Sequence, residues 1–279
     1  MADQLKNTTY NVIFTSRDQI DISDFEESKI KIIHIAPDVV INASAYTAVD
    51  KAEEDQVTAD LINHLAVNNL AAISLELGCW LIHISTDYVF DGNSTVPYCE
   101  LDKTNPQGVY GHTKLNGELA IQSSGCKYLI IRTAWVFSEY GNNFLKTMVR
   151  LGTVRDELSI VGDQIGCPTY AQDIAKAIMT MVIQLNEERS ASGIFHYCGD
   201  QPCSWYDFAR VIFEEASFSG FKTPGFIRSV QTSDYPTAAA RPVHSSLECH
   251  KIRNSFGVSP SDWKLGVKNV ISKIDLMKF

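Results

Sequence analysis

The sequence predicts an α/β fold: a doubly wound parallel sheet with a smaller C-terminal domain. Three observations carry this expectation. Short apolar segments alternate with helix-patterned segments at the spacing of βα units. The apolar segments, residues 39–43 for example, are apolar throughout, as strands covered on both faces are. After about residue 137 the regularity loosens, which marks material outside the repeating sheet. A chain of 279 residues with 45% hydrophobic content can bury a sizeable core.

The elements follow in order. Residues 10–15 (Tyr-Asn-Val-Ile-Phe-Thr) read as a short strand, and 30–36 as the end of a helix punctuated by Pro37-Asp38. Residues 39–43 form a buried strand. Residues 57–77 form a long helix, and Gly78 after it suits a left-handed cap. Residues 80–85 are another strand, 91–108 a loop rich in Gly, Asn and Pro, and a helix starts near Tyr110. A strand over 128–136 follows. Residues 171–185 repeat apolar positions at helical spacing, as do 205–216 from Trp205 through Phe208, Ile212 and Ala216. These stripes are core faces. Residues 194–198 read as one more sheet strand, and a last helix falls near 262–275.

Composition narrows the function. A formal net charge of −9 lacks the basic footprint that nucleic-acid binding needs. A few local Arg and Lys residues would still serve an anionic small molecule. Seven cysteines, none in C-x-x-C spacing, read as reduced thiols, with no clustered zinc ligands. The polar N-terminus has no signal-peptide core, and no apolar run has the ~18 residues of a membrane span. A soluble, cytoplasmic protein without a membrane partner is expected.

The chemistry centres on Tyr110 and Lys114, four residues apart in Tyr-Gly-His-Thr-Lys. On a helix they share one face. An ammonium near a phenol lowers its pKa, so that the phenol can exchange a proton with a carbonyl or alcohol oxygen near neutral pH. The same spacing also arises by chance on surface helices. Ser85-Thr86-Asp87 directly follows the strand at 80–85, at the C-terminal sheet edge where ligands bind in such folds. A hydroxyl there can hydrogen-bond the oxygen that Tyr110 protonates; the plainer reading is a turn with capping residues.

Longer motifs extend this pair. They are Pro-Asp-Val-Val-Ile-Asn-Ala-Ser-Ala-Tyr-Thr-Ala-Val-Asp-Lys-Ala-Glu (37–53), His-Ile-Ser-Thr-Asp-Tyr-Val-Phe-Asp-Gly (83–92), Tyr-Gly-His-Thr-Lys-Leu-Asn-Gly-Glu (110–118), Arg-Thr-Ala-Trp-Val-Phe (132–137), Asp-Gln-Ile-Gly-Cys-Pro-Thr (163–169) and the Arg-Pro-Val-His-Ser-Ser-Leu tail (241–247). In this order they resemble the dTDP-4-dehydrorhamnose reductase family of extended short-chain dehydrogenases, from about residue 3 to the end. The resemblance implies a Rossmann-like sheet. Residues 1–137 and about 168–200 would form the dinucleotide-binding domain, and about 138–167 and 201–279 the substrate domain. NADPH or NADH would deliver hydride to C4 of a dTDP-4-dehydro-6-deoxy-sugar nucleotide. Tyr110 would donate the proton, and the product would be dTDP-L-rhamnose for surface polysaccharide. Lys114 would lower the Tyr110 pKa and hold the nicotinamide ribose. Thr86 would orient the sugar carbonyl, Asp87 would lie in the sugar pocket, and Trp135 matches a substrate-pocket tryptophan. Asp21 and Ile22 would meet the adenine end of the cofactor, and Ala45, Tyr46 and Thr47 would line it. Arg241 is a candidate for the substrate diphosphate, because a guanidinium grips phosphate oxygens in a fork. An ion pair between domains is the alternative for it. Arg17, just past residues 10–15, is a candidate for a 2′-phosphate, with a solvated arginine as the alternative.

One feature departs from the family. Its members open with a strand and a Gly-x-x-Gly-x-x-Gly-like loop that brings backbone amides to the cofactor pyrophosphate. This chain starts at what resembles the end of the following helix, so about fifteen to twenty residues carrying that strand and loop are expected to be absent by the βαβ pattern. A start assigned too far downstream, a shortened product and a natural degenerate copy all fit. This feature supports a second reading, a non-catalytic regulatory or binding subunit on the same fold. No ligand set for a divalent ion such as Mg2+ at a subunit contact can be read from the sequence, and a homodimer is compatible with it.

Overall fold

The computed structural model describes residues 10–185 and 192–274. Its centre is a four-stranded, fully parallel sheet in the order β1 (Val39–Asn42), β2 (Trp80–Thr86), β3 (Lys127–Thr133) and β8 (Gly193–His196). Helix α1 (Phe25–Ile35) precedes it. The Asp24 side chain accepts from the Glu27 N–H at its start, and Ala36, at φ 48°, caps its end by donating to the Ile32 and Ile33 carbonyls. After the short α2 (Val49–Ala52), α3 (Gln56–Asp60) runs through a π-helical turn (Leu61–Leu65) into α4 (Ala66–Leu77). Gly78 then takes the left-handed cap expected of it, at φ 67°. Helix α5 (Val109–Ser124) joins β2 to β3, and α7 (Ala171–Leu185) leads to β8.

The sheet is covered on both faces, because alternate side chains on a strand point to opposite sides. Leu81 and Ile130 face Ile32, Val67, Leu70 and Ile121 of α1, α4 and α5. Ile82, Leu129 and Ile131 face Ile174, Ile178 and Met181 of α7, with Ile252 and Phe256 of α9 (His250–Phe256). Each of these strand residues is fully buried, worth about 1.5–3 kcal/mol apiece.

A separate core lies beyond β3. It gathers Phe137 of β4 (Val136–Phe137), Leu145 and Val149 of α6 (Phe144–Val154), and Leu158 and Ile160 of β5 (Glu157–Val161). Phe208 and Ile212 of α8 (Trp205–Phe218) and Trp263 and Val267 of α10 (Trp263–Ile271) complete it. Strand β5 pairs in parallel with β10 (Phe226–Val230), β4 with β7 (Thr169–Tyr170), and β6 (Ile165–Gly166) runs antiparallel to β9 (Cys203–Ser204). Part of the C-terminal region returns to the sheet: Leu247, Cys249, Ile252, Phe256 and Val258 pack in the core under α7.

Two expectations are corrected. Residues 10–15 are not a strand: they pair with no described strand, and Ile13 and Phe14 are 53% and 50% exposed. A strand needs a ladder partner for its N–H and C=O groups, and this segment finds none among the described residues. The strand expected over 128–136 ends at Thr133. Trp135 sits at φ 46°, which turns the chain out of the sheet, and the two residues after it pair with β7. All seven cysteines are free thiols, as expected. No described helix is long and apolar enough to cross a membrane.

Candidate active site

The site is built where α5 crosses the C-terminal ends of β1, β2 and β3. There the strands stop being apolar. Asn42 stands opposite His83 on neighbouring strands, and Ser85 opposite Arg132. The period-2 alternation turns all four toward α5, on the side of Leu81 and Ile130. The helix comes close because it carries glycine at the contacts. A Cβ at Gly111 would stand 2.3 Å from the Tyr88 carbonyl oxygen, and one at Gly117 2.2 Å from that of Asn63.

Two polar clusters fill the seam. In the first, Lys114 is almost wholly buried, and its Nζ donates to the Ile84 carbonyl at 2.7 Å and lies 3.2 Å from His83 Nε2. His83 Nδ1 lies 3.1 Å from Asn42 Nδ2. Burial holds the Lys114 ammonium down, to a pKa of about 8, against the pull of Glu118 one helical turn away. Burial, and then the Lys114 charge, push His83 well below its usual value. In the second cluster Glu118 is clamped by Arg132, with Nη2 to Oε2 at 2.6 Å and Nε to Oε1 at 3.0 Å, and the Ser85 hydroxyl donates to Oε1 at 2.5 Å. Both charges are buried.

Tyr110 lies on the cavity side of α5, half-buried, its ring edge-on to Tyr88 with centroids 5.5 Å apart. Burial drives its phenol well above the ordinary value, and the Thr86 hydroxyl, its hydrogen-bond partner, opposes this. The depression expected from Lys114 is absent in this state, because the Nζ is turned to Ile84 and His83. Desolvation of a phenolate decides the direction. Thr86 caps the turn, the plainer of the two readings given for it. Its Oγ1 accepts from the Tyr88 N–H at 3.2 Å, capping a short 3-10 turn (Asp87–Val89), and donates to Asp87 Oδ1 at 3.0 Å. Asp87 is buried, which raises it to about 6 although the Ser245 and Thr86 hydroxyls act the other way. Among the described residues its Oδ2 has no hydrogen-bond partner, and neither has the buried Thr133 Oγ1.

These groups line a cavity of about 1320 Å³ between the sheet and the second core. That exceeds the roughly 300–1,000 Å³ typical of one small-molecule ligand. Thr86, Asp87, Tyr110, Lys114, Ala45 and Thr47 form one wall, and Trp135, Trp205 and Phe144 another. The Trp135 indole stacks on Trp205 with centroids 3.4 Å apart and planes 5° from parallel. Tyr46, between Ala45 and Thr47, is fixed through its backbone: its N–H donates to Asn63 Oδ1 and its carbonyl accepts from Asn63 Nδ2. Arg241 reaches the cavity too, paired with Asp50 at 2.5 Å and donating to the Tyr88 hydroxyl at 3.1 Å. Asp21 and Ile22 lie outside this lining. Asp21 is held by the Ser23 hydroxyl and N–H, which lower it to about 2, and by an ion pair with Arg17.

Sequence reasoning did not single out Asn42, His83, Asn63, Glu118, Arg132 or Trp205 as site residues. For four of them a signal existed. Asn42 and Arg132 interrupt otherwise apolar strands near their C-terminal ends, His83 interrupts one at its middle, and Glu118 follows Lys114 by one turn on the same helix face.

Comparison with known proteins points to one group. The family model described as RmlD substrate binding domain matches residues 1–276. The dTDP-4-dehydrorhamnose reductase of Sinorhizobium fredii is 40% identical over 265 residues, covering 93% of this chain and 88% of that protein. The crystal structure of a dTDP-4-dehydrorhamnose reductase from Clostridium acetobutylicum superposes with a TM-score of 0.90 at 38% identity, over 100% of this chain and 94% of that one. That of Bacillus anthracis, solved in complex with NADP, gives 0.88 at 35% identity, over 98% and 94%.

Proposed function

The chain belongs to the dTDP-4-dehydrorhamnose reductase family, and from that premise we propose that it reduces the C4 keto group of dTDP-4-dehydro-L-rhamnose to give dTDP-L-rhamnose, with NADPH as reductant and Tyr110 as proton donor. The observation that carries this reading is that Thr86, Tyr110 and Lys114 line one cavity of about 1320 Å³.

The residues present suit a dinucleotide on that wall. Ala43, Ala45 and Thr47 keep side-chain bulk low, and Asn63 holds the Tyr46 backbone still. Lys114 lines the cavity, and its Nζ would exchange a contact with Ile84 or His83 for a ribose hydroxyl. When bound, a reduced nicotinamide supplies the hydride. The chain's own groups supply orientation and the proton. The Thr86 hydroxyl, beside Tyr110, orients the keto oxygen, and the Tyr110 hydroxyl delivers its proton as that oxygen gains charge. A phenol held high by burial keeps its proton until an alkoxide asks for it. Asp87 Oδ2 and Thr133 Oγ1, both without partners among the described residues, would meet sugar hydroxyls, and Trp135 would give the sugar an apolar face. Arg241 would exchange part of its contact with Asp50 for the substrate diphosphate. Asp21 and Ile22 would serve the distant adenine end. The second core, with α6, α8 and α10, would be the substrate domain.

The test is NADPH oxidation in the presence of the 4-keto sugar nucleotide. Tyr110→Phe should lower kcat by about 10²–10⁴-fold while NADPH still binds. Wild-type turnover in that variant would refute Tyr110 as the donor.

A further inference from the structure

The hydrogen bonds around Lys114 leave one arrangement of donors and acceptors. The Ser44 N–H donates to Asn42 Oδ1 at 3.0 Å. That contact fixes the orientation of the amide, so Asn42 Nδ2, a donor, faces His83 Nδ1 at 3.1 Å. Nδ1 must then accept. A neutral imidazole carries one proton, which is left on Nε2, 3.2 Å from Lys114 Nζ. Two donors facing each other across that distance repel. An amine nitrogen satisfies all its contacts, accepting from His83 and donating to the Ile84 carbonyl.

We propose that Asn42 and His83 form a tautomer lock on Lys114: the Asn42 amide fixes the imidazole proton on Nε2, and this bias toward the amine makes His83 a positioning residue that sets the alkaline limit of the reaction. The proposal rests on the reductase reading for its kinetic consequence, and on geometry alone for the tautomer. Other charges near Lys114 do not supply the same effect. Glu118, on the same helix, favours the ammonium and is itself engaged by Arg132 from β3 and Ser85 from β2. The Asp87 charge acts on Tyr110 and is not among the influences on Lys114. Strand β1 contributes only the neutral Asn42. Burial keeps His83 neutral, as the lock requires.

Long-range proton–nitrogen NMR on the full chain with 15N-histidine reads the tautomer directly, with His83 assigned by its loss in His83→Gln. The expected result is a proton on Nε2 in the wild type. In Asn42→Asp the carboxylate accepts from the ring, so the proton should move to Nδ1. Lys114 then meets an acceptor, and the alkaline limb of kcat/KM for NADPH-dependent reduction should move up by about one pH unit, about tenfold in activity on that limb. A wild-type His83 protonated on Nδ1 overturns the lock, whether or not any variant folds. A limb that stays put in Asn42→Asp while the tautomer flips overturns the kinetic role. Absence of turnover in the wild type would count against the reductase reading and leaves the tautomer result standing.

Discussion

Replacing Glu118 with Gln removes one half of a buried ion pair that ties α5 to β3. The Glu118 side chain is fully covered and that of Arg132 is 3% exposed. The carboxylate takes three short contacts from the guanidinium and one from the Ser85 hydroxyl. Glutamine fills the same volume and can still accept from Ser85, but it leaves the guanidinium buried without a counter-charge. Breaking a buried pair in this way costs about 3–5 kcal/mol. For a chain of this size that is on the order of 10 °C in Tm. Urea unfolding followed by circular dichroism should show the midpoint falling with an unchanged slope. The double variant Glu118→Gln/Arg132→Met should recover the larger part of the loss. It removes both charges and keeps apolar volume against Phe90, which the guanidinium overlies at 5.1 Å. A loss below about 1 kcal/mol, or a double variant no better than the sum of its parts, would refute the claim that an uncompensated charge is what costs.

Two further outcomes follow from buried titrating groups. Asp87 has its folded pKa raised from 3.8 to about 6, so its share of stability is fully present below pH 4 and is lost as pH rises through 6, a cost of about 3 kcal/mol. Asp87→Asn should therefore match the wild type at pH 4 and exceed it in urea resistance at pH 8, while KM for the sugar nucleotide rises; a less stable variant at pH 8 would show that the carboxylate is not strained there. His196 has its folded pKa lowered from 6.5 to about 3, by burial first and Arg132 second. The fold then binds fewer protons than the unfolded chain between those values, and stability drops as pH falls from 6.5 toward 3. Between pH 7 and 4.5 this amounts to about 2–3 kcal/mol, and His196→Gln should lose that share of acid sensitivity in paired urea titrations; identical pH slopes for the two proteins would dismiss it.

The legible part of the site was the part written in local spacing. Tyr110 and Lys114 share a helix face because they are four residues apart, and Thr86 sits at a strand end because an apolar run stops there. Both were open to sequence reasoning. The neighbours that set their protonation were not. Lys114 was expected beside the Tyr110 phenol, yet its nitrogen answers to Ile84 and His83, thirty and thirty-one residues away. Arg241 had two readings, a diphosphate contact or an ion pair between domains, and only folding supplies the pair's partner, Asp50, 191 residues distant in sequence.

Local pattern along the chain was enough for the alternation of strands and helices, the left-handed stop at Gly78, the covering of the sheet on both faces and the family to which the motifs belong. These rest on short-range periodicity and backbone sterics, which any window of ten or twenty residues contains. Tertiary structure alone decided that residues 10–15 are not a strand, that Leu247 to Val258 packs in the sheet's core, and that Asn42, His83 and Lys114 meet in one chain of hydrogen bonds. A ladder partner, a packing partner and a tautomer each depend on a group brought near by folding, and such a group has no address in the local sequence.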